Sequence, residues 1–297
     1  MPDSPLLSAD RSASYALLSV EREPAVIWVT LNRPEARNTL KCPQTFLEFK
    51  KVFDEIEADA SIKALVITGA GERDFCMGSD LSLLEDSFRS RNFSVFRDYL
   101  DQINSLFFAL EELPVPTIAM VQGQARAGGF ELILACDFVM MASEAVIGDV
   151  HTPYGHIPGG GGTQRLARKV GIQKAMDIIL TGRWISAEEA TRIGLALQTA
   201  PRLGLRAATA GFAAQFADKS RGSLKFSKSA LLRGWDLPLR DGIQLEIQSY
   251  IEYLATSEEP VEIFWKNQRI RRAKKGASDE QSGNPNEHFA AHHSDPA

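Results

Sequence analysis

Ala125-Arg126-Ala127-Gly128-Gly129-Phe130-Glu131-Leu132 is the stretch on which the reading of this chain turns, and Phe75-Cys76-Met77-Gly78-Ser79-Asp80-Leu81 is its counterpart earlier in the sequence. Each follows an apolar, strand-like run and opens a helical pattern, so each offers backbone N–H groups that have no intrahelical acceptor. Two such donors converging on one carbonyl oxygen make an oxyanion hole, which asks only that side chains stay out of the way. Taken alone, Gly-Gly before a helix also suits a tight turn or close packing. The weight lies on the pair.

Outward from these stretches, Tyr15 to Glu21 and Ala25 to Leu31 are strand-like runs separated by a charged, Pro-containing turn, which predicts an antiparallel hairpin. Phe46, Phe49, Val52, Phe53 and Ile56 recur at the three-and-four spacing of an amphipathic helix over Pro43 to Ala58. Ala64 to Thr68 and Thr117 to Val121 are continuous apolar strands, with a helix expected between them from Phe96 to Leu113, and Phe138 to Ala142 and Val146 to Gly148 are two more short strands. Strands alternating with helices build a parallel sheet covered by helices. Asp80 to Asn92 reads as a mobile segment, and from Gly162 onward strands are expected to vanish in favour of helices. Ser186-Ala187-Glu188-Glu189 is a Ser-x-x-Glu capping box.

The chain has 297 residues, 44% of them hydrophobic, enough for a large core in one extended α/β domain with a helical C-terminal part. A net charge of −5 disfavours a general role in gripping nucleic acid or an acidic membrane. No apolar run is long enough to span a bilayer and the polar N-terminus has no signal-peptide core, so a cytoplasmic protein is expected. Cys42, Cys76 and Cys136 lack CxxC spacing, which argues against a disulfide framework or a zinc site. His288, His292 and His293 lie in a low-complexity tail, and no metal is expected.

The two glycine stretches, in this order, resemble the crotonase superfamily of enoyl-CoA hydratase and isomerase relatives. Trp28-Val29-Thr30-Leu31-Asn32-Arg33-Pro34-Glu35-Ala36-Arg37-Asn38, Leu65-Val66-Ile67-Thr68-Gly69-Ala70-Gly71, Ile157-Pro158-Gly159-Gly160-Gly161-Gly162-Thr163-Gln164-Arg165-Leu166 and Leu180-Thr181-Gly182-Arg183 add to the resemblance, which runs from about Tyr15 to Lys275. It implies an α/β crotonase (ClpP-like) fold of β-β-α units coiled into a superhelix, with a C-terminal helical region that supports trimers or dimers of trimers. The sequence itself displays no repeat. The division expected is a flexible N-terminus over 1–14, an α/β core over 15–200, a helical region over 201–275 and a disordered tail over 276–297.

By match to the family, the backbone amides of Ser79 and Gly128 form the oxyanion hole and Glu131 is catalytic. A glutamate in a helix's first turn is also common for reasons of the helix dipole. Asp80, just before an apolar helical start, reads as an N-cap rather than a catalytic group. The departure from the pattern is His151, in Gly148-Asp149-Val150-His151-Thr152-Pro153-Tyr154-Gly155-His156, where hydratases of the family hold a second glutamate. An imidazole titrates near neutral pH and serves as acid or base. Tyr154 and His156 are nearby positioning candidates, and Met77 is a substrate-binding candidate beside the first glycine. Arg33, Arg37 and Lys41 suit the phosphates of coenzyme A, or form a solvated face. Phe264, Trp265, Lys266 and Arg269 are weaker candidates for contact with a neighbouring subunit's ligand.

The resemblance therefore implies an enzyme acting on an acyl-CoA thioester, with coenzyme A present as part of the substrate and no tightly bound cofactor. Nominally it is an enoyl-CoA hydratase or isomerase. Rival readings are a malonyl-type acyl-CoA decarboxylase, a β-diketone hydrolase whose His-x-Pro-x-Gly looks like His151 to Gly155 but which has aspartate where Gly160 stands, and a catalytically degenerate acyl-CoA-binding oligomer component.

Overall fold

The computed structural model describes residues 15–80, 82 and 85–281. Leu18–Glu23 (β1) and Val26–Leu31 (β2) pair antiparallel, as the turn between them demands. Gln44–Ala58 (α1) buries Phe46, Phe49, Val52, Phe53 and Ile56, the stripe its spacing predicts. The chain then alternates. Ala64–Gly69 (β3), Thr117–Val121 (β5) and Phe138–Ala142 (β7) join the first sheet, while Asp74–Cys76 (β4), Gln124–Arg126 (β6) and Val146–Gly148 (β8) join a second. Glu85–Ser90 (α2), Ser94–Glu112 (α3) and Gly128–Ala135 (α4) are the intervening helices. Glu85–Ser90 is therefore helical inside a stretch expected to be loose.

This alternation is the β-β-α repeat. It is invisible as a sequence period because the units differ greatly in length: Ala64 to Thr117 for one, Thr117 to Phe138 for the next. What recurs is topology, one strand to each sheet per unit.

Gly162–Val170 (α5), Ile172–Thr181 (α6), Ile185–Ser186 (β9), Ala187–Arg192 (α7), Gln198–Ala200 (β10) and Arg202–Ala213 (α8) follow. The expectation that strands end before Gly162 fails, since β9 pairs antiparallel with β8 and β10 parallel with β7. Strands of two and three residues leave no alternation to read. The final orders are β1-β2-β3-β5-β7-β10 and β4-β6-β8-β9. Half of the capping box forms: Ser186 Oγ accepts from Glu189 N at 3.1 Å. Its other half does not, because the Glu189 carboxylate turns to Arg183 at 2.7 and 2.8 Å, an ionic partner a bare backbone amide does not outbid.

Trp28, Phe49, Phe75, Phe107 and Phe130 are the largest fully buried side chains, and α4, buried along its length, carries Phe130 and Glu131 through the core. The chain divides into two compact units, one up to Ser229 and one from Ala230 onward. Arg221–Gly234 (α9) spans the division. In the second unit Leu239–Thr256 (α10) and Glu259–Gln281 (α11) are joined by a hydrogen bond of 3.3 Å from the Tyr253 hydroxyl to Glu259. Helix α11 runs past residue 276, where composition placed the start of a tail. His288, His292 and His293 lie outside the described residues.

Candidate active site

Strands β4, β6 and β8 are parallel neighbours in the small sheet, so the loops that leave their C-terminal ends emerge along one edge. The first loop carries Ser79, the second leads directly into α4 with its Gly128 and Glu131, and the third carries Asp149 and His151. Each turns through a left-handed backbone: φ is +101° at Gly78, +48° at Ala127 and +54° at Val150. A β-branched residue rarely holds such an angle, and the strain at Val150 lies between Asp149 and His151.

The loops touch. A Cβ built on Gly128 would lie 2.9 Å from Ser79 Oγ and 3.5 Å from Ser79 N. Gly129 brings α4 still closer, since a Cβ there would be 2.1 Å from the Cys76 carbonyl oxygen. A bridge between Leu40 and Ser79 uses the Gly78 carbonyl and the Asp80 amide, both bonded to Leu40 at 2.9 Å, so the Ser79 N–H points to the other side of its segment. Among the described residues neither the Ser79 nor the Gly128 amide donates to an acceptor.

Glu131, only 2% exposed, stands one turn into α4. Its Oε1 accepts from Gly160 N at 2.7 Å and Gly162 N at 3.1 Å, where α5 begins. Burial raises its pKa above the ordinary glutamate value and the charge of Asp149 adds to this. His151 and the two amides pull the other way without overcoming it. His151 Nδ1 lies 2.9 Å from Asp149 Oδ1. Burial pushes the imidazole's pKa down, yet the hydrogen bond to Asp149 and the charges of Asp149 and Glu131 outweigh it, leaving it above its ordinary value. Asp149 is fully buried and its Oδ2 has no hydrogen-bond partner among the described residues; a Cβ on Gly162 would be 3.1 Å from that oxygen and 3.2 Å from Glu131 Oε1. Glu131, Asp149 and His151 are thus one electrostatic cluster.

The other candidates are placed less centrally. Met77 is buried, its amide bonded to the Arg37 carbonyl at 3.2 Å. Tyr154 is 64% exposed and its hydroxyl accepts from Arg126 at 3.1 Å, while exposed His156 packs edge-on against Phe88. Arg37 holds Asp74 through two bonds of 2.8 and 3.0 Å, and Arg33 pairs with Asp80 at 3.2 Å and with the Thr39 carbonyl at 2.9 Å. Lys41 is exposed and makes no ion pair among the described residues. Asp80 Oδ1 also accepts from Ser82 N at 3.3 Å, a turn-capping contact. Cys76, its thiol pushed up to about 12 by burial, offers no thiolate at neutral pH. A surface hollow of about 380 Å³ bounded by Glu72, Arg73, Gln124, Glu144 and Arg202 shares no residue with the three loops.

Asp149 and Tyr99 escaped the sequence reading. Asp149 carried a signal, an acid two residues before a loop histidine. Tyr99 carried none: it lies mid-helix in α3, and only the tertiary structure brings its hydroxyl to Ser79 Oγ.

Residues 21–269 match the model of the family described as enoyl-CoA hydratase/isomerase. The chain is 34% identical over 242 residues to the short-chain-enoyl-CoA hydratase of Clostridium acetobutylicum, covering 81% of this chain and 90% of that one. It is 32% identical over 226 residues to the (E)-benzylidenesuccinyl-CoA hydratase of Thauera aromatica, covering 76% and 86%. The crystal structure of an enoyl-CoA hydratase from Bacillus anthracis superimposes with a TM-score of 0.78 at 33% identity, over 86% of this chain and 97% of that one. With the loops, the two-sheet repeat and these likenesses together, the chain belongs to the enoyl-CoA hydratase/isomerase family and has the crotonase fold.

Proposed function

We propose that this acyl-CoA-processing enzyme hydrates or isomerises an enoyl-CoA thioester, using Glu131 and His151 as its proton-transfer pair and the amides of Ser79 and Gly128 to hold the thioester oxygen. The observation that carries the reading is the apposition of the Ser79 and Gly128 backbones beside a buried carboxylate. Negative charge that develops on the thioester oxygen is stabilised there more than in the ground state, which is the condition for acceleration.

For hydration, Glu131 takes a proton from water as the water oxygen bonds to the β-carbon, and the π electrons move onto the thioester oxygen as an enolate. Imidazolium His151 then gives its proton to the α-carbon as the enolate collapses. Transfer of the proton from Glu131 to His151 restores the site. Burial raises Glu131 toward the range of an effective base, and Asp149 favours the charged form of His151 and fixes its Nδ1–H, leaving Nε2 as the reacting nitrogen. In isomerisation the same pair moves one proton along the acyl chain. Coenzyme A enters as part of the substrate. The family likeness supports trimers or paired trimers as the working assembly.

The pairing of His151 with Asp149 also favours a second reading, cleavage of a carbon–carbon bond by decarboxylation or hydrolysis, because a histidine of fixed tautomer activates water as readily as it donates a proton. The aspartate of the diketone hydrolases has no room at Gly160, where a Cβ would already stand 2.6 Å from Glu131 Oε2. Incubating the protein with crotonyl-CoA, a 3-enoyl-CoA and a branched malonyl-CoA and following products by mass separates these readings. A 3-hydroxyacyl or 2-enoyl product supports the first, loss of carbon dioxide the second, and inertness toward all three overturns the thioester reading.

A further inference from the structure

We propose that Tyr99 is a positioning residue for the oxyanion hole, aiming the Ser79 amide through the Ser79 hydroxyl; the proposal rests on the thioester reading above. Tyr99 donates to Ser79 Oγ. Ser79 has few other tethers. The bridge to Leu40 holds the Gly78 carbonyl, at the other end of the peptide plane that carries the Ser79 amide, and Gly78, at φ +101°, is a backbone position that glycine holds without strain. The hydroxyl is therefore a second tether, on the Ser79 side, for a peptide plane whose carbonyl Leu40 holds at 2.9 Å, and it is wedged against Gly128, 2.9 Å from where a Cβ on that glycine would stand.

Tyr99 is a stiff anchor for this task. Its ring is 7% exposed, stacks on Phe96 with centroids 6.3 Å and planes 6° apart, and meets Phe46 at 6.4 Å. Burial lifts its phenol far above the ordinary tyrosine value and the charge of Glu131 adds to this, against the opposing bond to Ser79, so the hydroxyl keeps its proton and remains a donor at any working pH. Helix α3 thereby fixes the donor of the first loop from behind, while the N-terminus of α4 supplies the donor of the second. A hole must hold its donors to within roughly 10–20° of their productive direction, and misalignment is felt where charge has developed rather than in substrate binding.

The test is a double-mutant cycle of Tyr99→Phe and Ser79→Ala, both of which keep the Ser79 amide and remove the bond between the hydroxyls, Ser79→Ala removing its contact with Gly128 as well. On whichever thioester the wild type turns over, each single variant is expected to lower kcat about five- to tenfold with KM unchanged, and the double variant to be no slower than the singles. Losses that multiply, a loss confined to KM, or a Tyr99→Phe enzyme as fast as wild type overturns the proposal while leaving the thioester reading intact. If Tyr99→Phe fails to fold, Ser79→Ala decides alone, and an unchanged kcat overturns the proposal. A wild type inert toward every thioester overturns both.

Discussion

Glu131 is pulled in two directions, by burial toward the neutral acid and by two amides and an imidazole toward the anion, and burial wins. A folded pKa above the unfolded one means that its contribution to stability is full below the ordinary glutamate value and is lost as pH rises through the raised one. Glu131→Gln is therefore expected to melt higher than wild type at pH 8 and close to it at pH 4, while turnover falls by about 10²–10⁴-fold, measured by thermal melts and product mass. The pH profile of kcat/KM is expected to be a bell whose acid limb lies above the ordinary glutamate range and whose alkaline limb lies above the ordinary histidine range. Asp149→Asn removes the charge that raises His151 and leaves only a neutral acceptor for its Nδ1–H, so the alkaline limb should move to lower pH, read from the same profile. An unmoved limb would remove His151 from the acid role.

At the scale of elements, the candidate site takes its shape because three short parallel strands end along one edge and one helix starts almost in contact with a strand. Gly129 carries that contact. Gly129→Ala is expected to destabilise the protein by about 3 kcal/mol or more, since a methyl group meets a backbone carbonyl that cannot turn aside, and chemical denaturation would measure it. Ala127, at φ +48°, should respond in the opposite sense: Ala127→Gly relieves the strained angle and is expected to gain about 1 kcal/mol in the same assay.

For the whole molecule, the helical unit from Ala230 onward exposes Leu239, Ile243, Ile247, Tyr250 and Ile251 along α10, an apolar surface of the kind that marks an interface. Light scattering is expected to give a mass near three or six times the 32.7 kDa chain, and Ile247→Glu to lower it. No described helix is long and apolar enough to cross a membrane.

The strands β2, β3, β5 and β7, the amphipathic face of α1 and the two glycine stretches were legible in the sequence, because local periodicity and backbone freedom are properties of consecutive residues. The rest depends on contacts between distant segments. Strands β9 and β10 are too short to pattern, and the β-β-α repeat has no constant period. Arg33 and Arg37 were legible only as cations, whereas Asp80 and Asp74, which they bind, come from far along the chain. The carboxylate beside His151 and the phenol behind Ser79 acquire meaning only when the sheet and α3 bring them there, since a hydrogen bond is decided by distance in space and a sequence records distance along the chain.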